Sequence, residues 1–230
     1  MLCHQYDAIL LAAGSGKRFD ANHAKQYAKI HDKTILQYSL EVLLSLPNLN
    51  FIVIVLSKED TEFQQLNLHH PKIQTIVGGR ERADSVLNAL SYLSVQKKSA
   101  DWVLVHDAAR CCVRKQAIMN LIEQCLDKNT GGLLVSPVKD TIKQRSLNNK
   151  VTTIPRSNLF IAQTPQFFQT KNLLNAYQFS LANNITPTDE ASAIEQIAED
   201  ILLVAGDQDN LKITTPIDKL IAEKILEKKE

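Results

Sequence analysis

The sequence is poor in the residues that mark disordered, fibrous or disulfide-rich proteins. Its 230 residues include only seven glycines, seven prolines and four cysteines. The cysteines form neither a C-x-x-C pair nor a Cys/His zinc pattern; they are Cys3, Cys111, Cys112 and Cys125. Hydrophobic residues make up 44% of the chain, which is ordinary for a globular protein. We therefore expect a globular fold with reduced thiols.

Long apolar runs and an excess of charge of one sign are also missing. The longest apolar runs, 8–13 and 51–56, are far shorter than the roughly 20 residues that span a membrane. Lys and Arg number 26 against 25 Asp and Glu, so no overall field attracts nucleic acid or an anionic membrane. The amino terminus has no basic segment of the kind that opens a signal peptide. These features predict a soluble, cytoplasmic protein that binds neither membrane nor nucleic acid.

Short β-rich apolar runs alternate with stretches of helical periodicity. This alternation is typical of α/β proteins with a mostly parallel, twisted sheet flanked by helices. The predicted strands are 7–11, 51–56, 73–77, 102–106, 132–138, 159–163 and 201–204, and the predicted helices are 34–45, 83–94, 115–126, 171–182, 189–198 and 216–227. No linker or repeat divides them, so we expect one Rossmann-like domain over residues 1–230.

A polar segment at 138–157 interrupts this alternation. It carries Lys139, Lys143 and Arg145 around β-branched residues such as Ile142 and Val151. This pattern predicts a projecting β-hairpin arm. Because an isolated two-stranded ribbon is marginal in water, we expect the arm to pack against a second subunit in a homodimer.

A glycine loop, LLAAGSGKR at 10–18, follows the first predicted strand, where an open parallel sheet places its phosphate loop. It is not a dinucleotide fingerprint, because Phe19 stands where a third glycine is needed. Nor is it a P-loop, because Arg18 stands where Ser or Thr is needed. Its small residues still allow backbone N–H groups to approach phosphates. The loop therefore favours nucleotide binding, with a tight strand-to-helix turn as the alternative.

Further motifs follow the glycine loop along the whole chain. They are KQY (25–27), GGRERADSV (78–86), VHDAAR (105–110), PVKDT (137–141), TPQFF (164–168), TDEAS (188–192) and DNLKITTP (209–216). Together with the loop, they resemble the 2-C-methyl-D-erythritol 4-phosphate cytidylyltransferase family. The resemblance implies a nucleotidyltransferase that converts CTP and 2-C-methyl-D-erythritol 4-phosphate to 4-diphosphocytidyl-2-C-methyl-D-erythritol and pyrophosphate. This step belongs to the non-mevalonate route to isoprenoids.

The resemblance also implies a catalytic set of cations. Arg18 and Lys25 would stabilise charge at the α-phosphate of CTP, and Arg156 and Lys212 would hold the phosphate of the acceptor. A phosphate monoester is already ionised at neutral pH, so no general base is needed, and positioning and charge stabilisation carry most of the catalysis. For an arbitrary Lys or Arg, a solvated surface charge is the alternative.

Binding residues are implied by the same resemblance. The cytidine would be framed by Ala12, Ala13, Gly14, Gly79 and Ser85. The acceptor would be bound by Asp107, Ala108, Arg110, Thr141, Thr164 and Thr188. Thr141 and Arg156 lie on the hairpin and would serve the neighbouring subunit's site. Asp107 would also bind Mg²⁺, the expected cofactor, because this ion needs only one or two carboxylates beside phosphate oxygens.

Some positions depart from the family's pattern, and other functions stay open. Leu11 and Cys111 stand where proline is usual, and Arg80 stands where a small or acidic residue is expected. Without the fixed φ of proline, the loop after Asp107 could change shape. The alternatives are a cytidylyltransferase for another polyol phosphate such as ribitol 5-phosphate, a catalytically silent CTP-binding module, and an NAD-dependent dehydrogenase. The missing third glycine disfavours the last.

Overall fold

Strands and helices alternate along the chain. The computed structural model describes residues 4–14, 19 and 24–228. The strands are β1 (Tyr6–Leu11), β2 (Lys29–Ile30), β3 (Lys33–Thr34), β4 (Leu49–Leu56), β5 (Ile73–Val77), β6 (Trp102–Asp107), β7 (Gly132–Pro137), β8 (Ile142–Arg145), β9 (Val151–Ile154), β10 (Phe160–Gln169) and β11 (Leu202–Ala205). The helices are α1 (Ile35–Leu44), α2 (Arg82–Ser94), α3 (Lys115–Lys128), α4 (Thr170–Ala182), α5 (Glu190–Glu195) and α6 (Pro216–Glu227). Over the residues described, none of these helices has the length and apolar character needed to cross a membrane.

Seven of the described strands form one sheet in the order β11-β7-β10-β6-β1-β4-β5. β1 runs parallel to both β4 and β6, β4 runs parallel to β5, and β11 runs parallel to β7. β10 runs antiparallel to both of its neighbours, β6 and β7. Because β4 and β6 flank β1 on opposite sides, the loops that follow these strands diverge. A crevice therefore opens at the carboxyl ends of the three strands.

Helices cover both faces of the sheet. On one face, Leu10, Ile54 and Leu104 belong to a buried cluster with apolar residues of α1 and α3. On the other, Ile9 and Val53 cluster with residues of α2 and α4. Strands that are buried on both faces need apolar residues at successive positions, which explains the continuous apolar runs in the sequence.

The predicted α/β class is confirmed, and each predicted strand and helix has a counterpart in the structure. β10 is longer than the predicted strand, which ended at residue 163. The strand continues because Phe167 and Phe168 are buried and pair with β6. α5 is shorter than predicted, because Asp189 is its N-cap and Ala198 has a φ of 55°, outside the helical region.

The segment 138–157 contains the predicted hairpin. Within it, β8 and β9 pair antiparallel, from Ile142 with Ile154 to Arg145 with Val151. The pair forms a sheet of its own, apart from the main sheet. Leu147 and Val151 are large apolar residues that are exposed on the hairpin. The hairpin is therefore confirmed, while its role in dimerisation stays a prediction.

Candidate functional site

A cleft of about 730 Å³ lies at the carboxyl ends of β1, β4 and β6. Main-chain hydrogen bonds fix the loops that leave these strands. The Ala12 N–H donates to the Val55 carbonyl at 2.9 Å, and the Ala108 N–H donates to the Leu11 carbonyl at 3.0 Å. This volume falls within the range of small-molecule sites. The cleft brings together all five residues predicted to frame a nucleotide, namely Ala12, Ala13, Gly14, Gly79 and Ser85.

Close packing at the start of α2 explains the glycine pair on one wall of the cleft. A β-carbon on Gly79 would clash with Asp84, and one on Gly78 would lie 2.9 Å from the Cβ of Ala13. The Gly79 N–H donates to Ser85 Oγ at 3.0 Å, and this hydroxyl donates to the Glu81 carbonyl at 3.1 Å. Ser85 therefore holds the loop against the helix.

Lys25 reaches the same cleft from a short 3-10 turn, Lys25–Tyr27. The two residues that follow it anchor the turn. Gln26 Nε2 donates to the Ala12 carbonyl at 2.7 Å, and the Tyr27 hydroxyl donates to the Asp60 carboxylate at 2.5 Å. Both anchoring residues are buried. The turn thus holds Lys25 beside the predicted nucleotide residues, whereas its predicted partner Arg18 lies outside the described residues.

A second pocket, of about 240 Å³, adjoins the cleft. Four of the residues predicted to bind the acceptor line it, namely Asp107, Arg110, Thr164 and Thr188. Arg110 is held by donating to the carbonyls of Asn210 at 2.8 Å and Ala162 at 3.3 Å. The predicted acceptor residues Asp107 and Ala108 line the larger cleft.

The two pockets share a wall. Asp107, Lys212 and Arg82 line both of them. Asp107 is the last residue of β6, and Lys212 comes from the segment between β11 and α6. The predicted cation Lys212 and the predicted metal ligand Asp107 therefore lie where a molecule in one pocket would meet a molecule in the other.

Two cations neutralise the Asp107 carboxylate. Arg82 Nη2 lies 3.3 Å from Oδ1, and Lys212 Nζ lies 2.7 Å from Oδ2. Burial alone would raise the pKa of the Asp107 carboxyl, but the charges of Arg82 and Lys212 hold that pKa below its ordinary value. Asp107 is therefore ionised at neutral pH, with one cation on each oxygen.

His106 and Thr164 fix the backbone at Asp107. The Asp107 N–H donates to Thr164 Oγ1 at 3.0 Å, and the same hydroxyl lies 3.1 Å from His106 Nδ1. His106 is fully buried, and this burial lowers its pKa to about 4. The imidazole is consequently neutral at physiological pH.

Stability below neutral pH should depend on His106. Its pKa in the folded protein, about 4, is below the ordinary value of 6.5, so the unfolded chain binds this proton more readily and acid favours unfolding. Between pH 7 and pH 5, the wild-type free energy of unfolding should fall by about 2 kcal/mol more than that of a His106→Asn variant. Urea unfolding of both proteins at pH 7 and pH 5 measures the difference. Equal losses of unfolding free energy in the two proteins would contradict the low pKa of His106.

Arg82 lines both pockets and contacts the buried Glu190, although the sequence pattern assigned neither residue a role. Arg82 Nη1 donates to Glu190 Oε1 at 2.8 Å, and Glu190 is fully buried. Both residues lie in motifs that were noted for their neighbours, GGRERADSV and TDEAS. Their contact joins positions 108 residues apart, so no local sequence pattern predicts it.

Thr141 and Arg156 are not brought to either pocket. Neither residue is among the described residues that line the larger cleft or the smaller pocket. Thr141 is exposed, and the Arg156 guanidinium donates to the Lys139 carbonyl within the hairpin arm. Their assignment to a neighbouring subunit's site therefore stays a prediction.

The loop after Asp107 is closed by hydrogen bonds, although Cys111 stands where proline is usual in the family's pattern. Cys111 is buried, and the loop is closed without proline by the Arg110 N–H, which donates to the Asp107 carbonyl at 3.0 Å. The Ile213 N–H donates to the Ala109 carbonyl at 2.9 Å and ties the Lys212 segment to this loop. Arg80 is exposed and lines the larger cleft.

A metal ion at this site would need ligands from the substrate. In the part of the chain that the structure describes, no three His, Cys, Asp or Glu side chains lie close enough to hold a metal. Asp107 is an ionised carboxylate on the wall shared by both pockets. Mg²⁺ commonly takes one or two carboxylates together with phosphate oxygens and water. Asp107 therefore fits such an ion when phosphates are present.

The chain is similar to known proteins along nearly its whole length. The family model for 2-C-methyl-D-erythritol 4-phosphate cytidylyltransferase matches residues 7–228. A curated protein of that name from Vibrio vulnificus (strain CMCP6) is 46% identical over 94% of this chain and 92% of its own length. One from Pseudoalteromonas translucida (strain TAC 125) is 46% identical over 97% of this chain and 91% of its own length. A crystal structure of 4-diphosphocytidyl-2C-methyl-D-erythritol synthase is similar with a TM-score of 0.83 and 36% identity, covering 98% of this chain and 100% of that one. The Francisella tularensis cytidylyltransferase is similar with a TM-score of 0.80 and 33% identity, covering 96% and 99%.

Proposed function

The chain belongs to the 2-C-methyl-D-erythritol 4-phosphate cytidylyltransferase family, and we propose that its adjoining pockets bring CTP and 2-C-methyl-D-erythritol 4-phosphate into contact. The enzyme transfers the cytidylyl group of CTP to the acceptor, which gives 4-diphosphocytidyl-2-C-methyl-D-erythritol and pyrophosphate. It thereby acts as a nucleotidyltransferase in isoprenoid precursor biosynthesis. The larger cleft takes CTP, and the smaller pocket takes the acceptor.

The shared wall of the two pockets carries this assignment. A nucleotidyl transfer requires an oxygen of the acceptor phosphate to reach the α-phosphorus of the nucleotide. Asp107, Arg82 and Lys212 border both spaces, so this wall is where the two substrates can touch. The cleft of about 730 Å³ holds the larger substrate, and the pocket of about 240 Å³ holds the smaller one.

The reaction needs charge stabilisation more than proton transfer. An oxygen of the acceptor phosphate attacks the α-phosphorus, the bond between that phosphorus and the bridging oxygen breaks, and pyrophosphate leaves with the electron pair. Two anions must approach each other, so fixed cations that meet the developing charge lower the barrier. In this proposal Lys25, together with Arg18, faces the α-phosphate, and Lys212, together with Arg156, holds the acceptor phosphate. Lys25 lines the same cleft as residues 12–14, which supports its proposed place at the α-phosphate.

Asp107 is the residue proposed to hold Mg²⁺. When bound, this ion would supply positive charge to the phosphate oxygens. The ionised carboxylate at the shared wall supports this choice, as does the chemistry of a hard cation that accepts few protein ligands. Asp107 also binds Lys212, whose ammonium lies 2.7 Å from Oδ2, so the same carboxylate orients the cation proposed to hold the acceptor.

The hairpin arm is proposed to complete the site of a second subunit. Four large apolar side chains on or beside the arm are exposed, namely Leu147, Val151, Phe160 and Ile161. A second copy that covered them would remove this apolar area from water. Arg156 and Thr141 would then reach the neighbouring site rather than their own.

Mixing two inactive variants tests this arrangement. Arg18→Ala and Arg156→Ala would each inactivate a different half of one composite site, so a mixed dimer keeps one intact site. Subunit exchange between the two purified variants should therefore restore up to about a quarter of wild-type activity, by the statistics of random exchange and the two-fold symmetry of such dimers. Exchange is verified by mass spectrometry of differently tagged subunits. No recovery in verified heterodimers would show that each site lies within one chain.

The acceptor is tested by comparing substrates side by side. With CTP and Mg²⁺, pyrophosphate release should be at least about a hundredfold faster with 2-C-methyl-D-erythritol 4-phosphate than with ribitol 5-phosphate, a difference of roughly 3 kcal/mol in transition-state binding. Faster release with ribitol 5-phosphate would assign the chain to another acceptor. CTP binding without release from either would identify a silent binding module.

We also propose that residues 1–230 form one domain and that the protein works in the cytoplasm. One continuous sheet that includes strands from Tyr6 to Ala205 supports the first proposal. The water-soluble phosphorylated substrates support the second.

A further inference from the structure

Arg82 makes an unusual set of hydrogen bonds at the start of α2. Its guanidinium grips Glu190 with both terminal nitrogens, Nη1 to Oε1 at 2.8 Å and Nη2 to Oε2 at 3.1 Å. The other edge, Nε and Nη2, faces Oδ1 of Asp107, with both distances 3.3 Å. One planar group therefore joins a carboxylate of α5 to the carboxylate at the end of β6.

Glu190 fixes the position of this guanidinium through the two hydrogen bonds. Glu190 is fully buried, and Oε1 also accepts a hydrogen bond from the Tyr177 hydroxyl at 3.1 Å. A buried carboxylate that is bound from two sides has few alternative positions, so the arginine that it holds is also fixed. Burial alone would lower the pKa of Arg82, but Glu190 and Asp107 raise that pKa above its ordinary value, and the group stays charged.

The two oxygens of Asp107 have different partners. Oδ1 faces Arg82, whose position is set by a buried residue, and Oδ2 contacts Lys212, which comes from a loop and is partly exposed. In the proposed function Lys212 also has to contact the acceptor phosphate. During that exchange Arg82 is the partner that remains on the carboxylate.

We propose that Arg82 is a positioning residue that acts through Asp107: braced by Glu190 and Tyr177, it holds Oδ1 so that Oδ2 stays directed to the wall between the pockets. This inference rests on the proposed function. A purely structural Arg82, present only to neutralise Glu190, would change stability when replaced but would not change the turnover of the folded enzyme.

A kinetic comparison of Arg82→Lys with the wild type tests the proposal. Lysine keeps the charge but cannot span both carboxylates. We expect kcat to fall about 10- to 100-fold, as for residues that orient a functional ligand, while the dissociation constant for CTP, measured by calorimetry, changes less than about threefold. Glu190→Gln removes the negative charge that holds Arg82 and should lower kcat in the same way.

The matched control is Arg114→Lys. This substitution alters an arginine–carboxylate pair with Asp209 that lies outside both pockets, and it should leave kcat unchanged.

A double-mutant cycle distinguishes an indirect role from an independent one. If Arg82 acts through Asp107, Arg82→Lys should add less than about twofold to the loss in kcat already caused by Asp107→Asn. Multiplicative losses would overturn the proposal, as would a folded Arg82→Lys or Glu190→Gln enzyme with wild-type kcat and only a lower melting temperature. An inactive wild type would instead count against the proposed function, so the two failures are distinct.

Discussion

The Asp107→Asn variant is expected to lose about a hundred- to a thousandfold in kcat, the range found when one charged or hydrogen-bonding group of a transition-state site is removed. Asparagine has the same shape but no charge. Lys212 and Arg82, which lie 2.7 Å and 3.3 Å from the carboxylate oxygens, would lose the anion that orients them. The proposed metal ligand would be lost in the same change. Initial rates of pyrophosphate release at saturating CTP and acceptor measure the effect.

The matched control is Asp101→Asn. Asp101 immediately precedes β6, so it lies at the opposite end of the strand that ends with Asp107, and it is exposed. This control should keep wild-type kcat. If a folded Asp107→Asn enzyme retained kcat within about fivefold of the wild type, equivalent to roughly 1 kcal/mol, Asp107 would have no direct part in the reaction.

Replacement of Lys25 with alanine should lower kcat about a hundredfold while the apparent affinity for CTP changes only a few-fold. The reason is that a cation placed at the α-phosphate stabilises charge that develops in the transition state more than charge in bound CTP. Gln26 and Tyr27 hold the turn from buried positions, so the substitution should remove the ammonium without moving the backbone. Separate measurement of kcat and of KM for CTP distinguishes these contributions.

Lys29→Ala is the control for this experiment. Lys29 is an exposed lysine shortly after the turn, and it does not line the larger cleft or the smaller pocket. Its replacement should leave both constants unchanged. A Lys25→Ala enzyme with weaker CTP binding but unaltered kcat would make Lys25 a binding residue only.

Local chemistry explains which parts of the fold are predictable from sequence. β4 is apolar at every position but Asn50, and β6 is apolar from Trp102 to Val105, because both faces of the sheet are covered. α6 begins at Pro216 with Thr215 as its N-cap. Such patterns depend on neighbouring residues. The end of β10 was less predictable, because Pro165 resembles a strand terminator in the sequence but lies within this strand.

The site residues, too, were predictable only where their role depends on nearby sequence. The end of a strand such as β6 marks the edge of the sheet, so Asp107 could be assigned to the binding edge from its place in the sequence. Arg82 could not be assigned, because its partners Glu190 and Asp107 are 108 and 25 positions away. The hydrogen bond from Gln26 to the Ala12 carbonyl escaped prediction because glutamine is ordinarily a surface residue. The subunit that would cover the hairpin arm is a property of two chains, which one sequence pattern cannot fix.

A crystal structure with Mg²⁺ and 4-diphosphocytidyl-2-C-methyl-D-erythritol tests the central claim most directly. We expect the cytidine in the larger cleft against Gly79 and Ser85, the methylerythritol end in the smaller pocket near Arg110 and Thr188, and the diphosphate at the wall formed by Asp107 and Lys212. A product whose diphosphate lay away from Asp107, or whose methylerythritol end left the smaller pocket empty, would contradict the account.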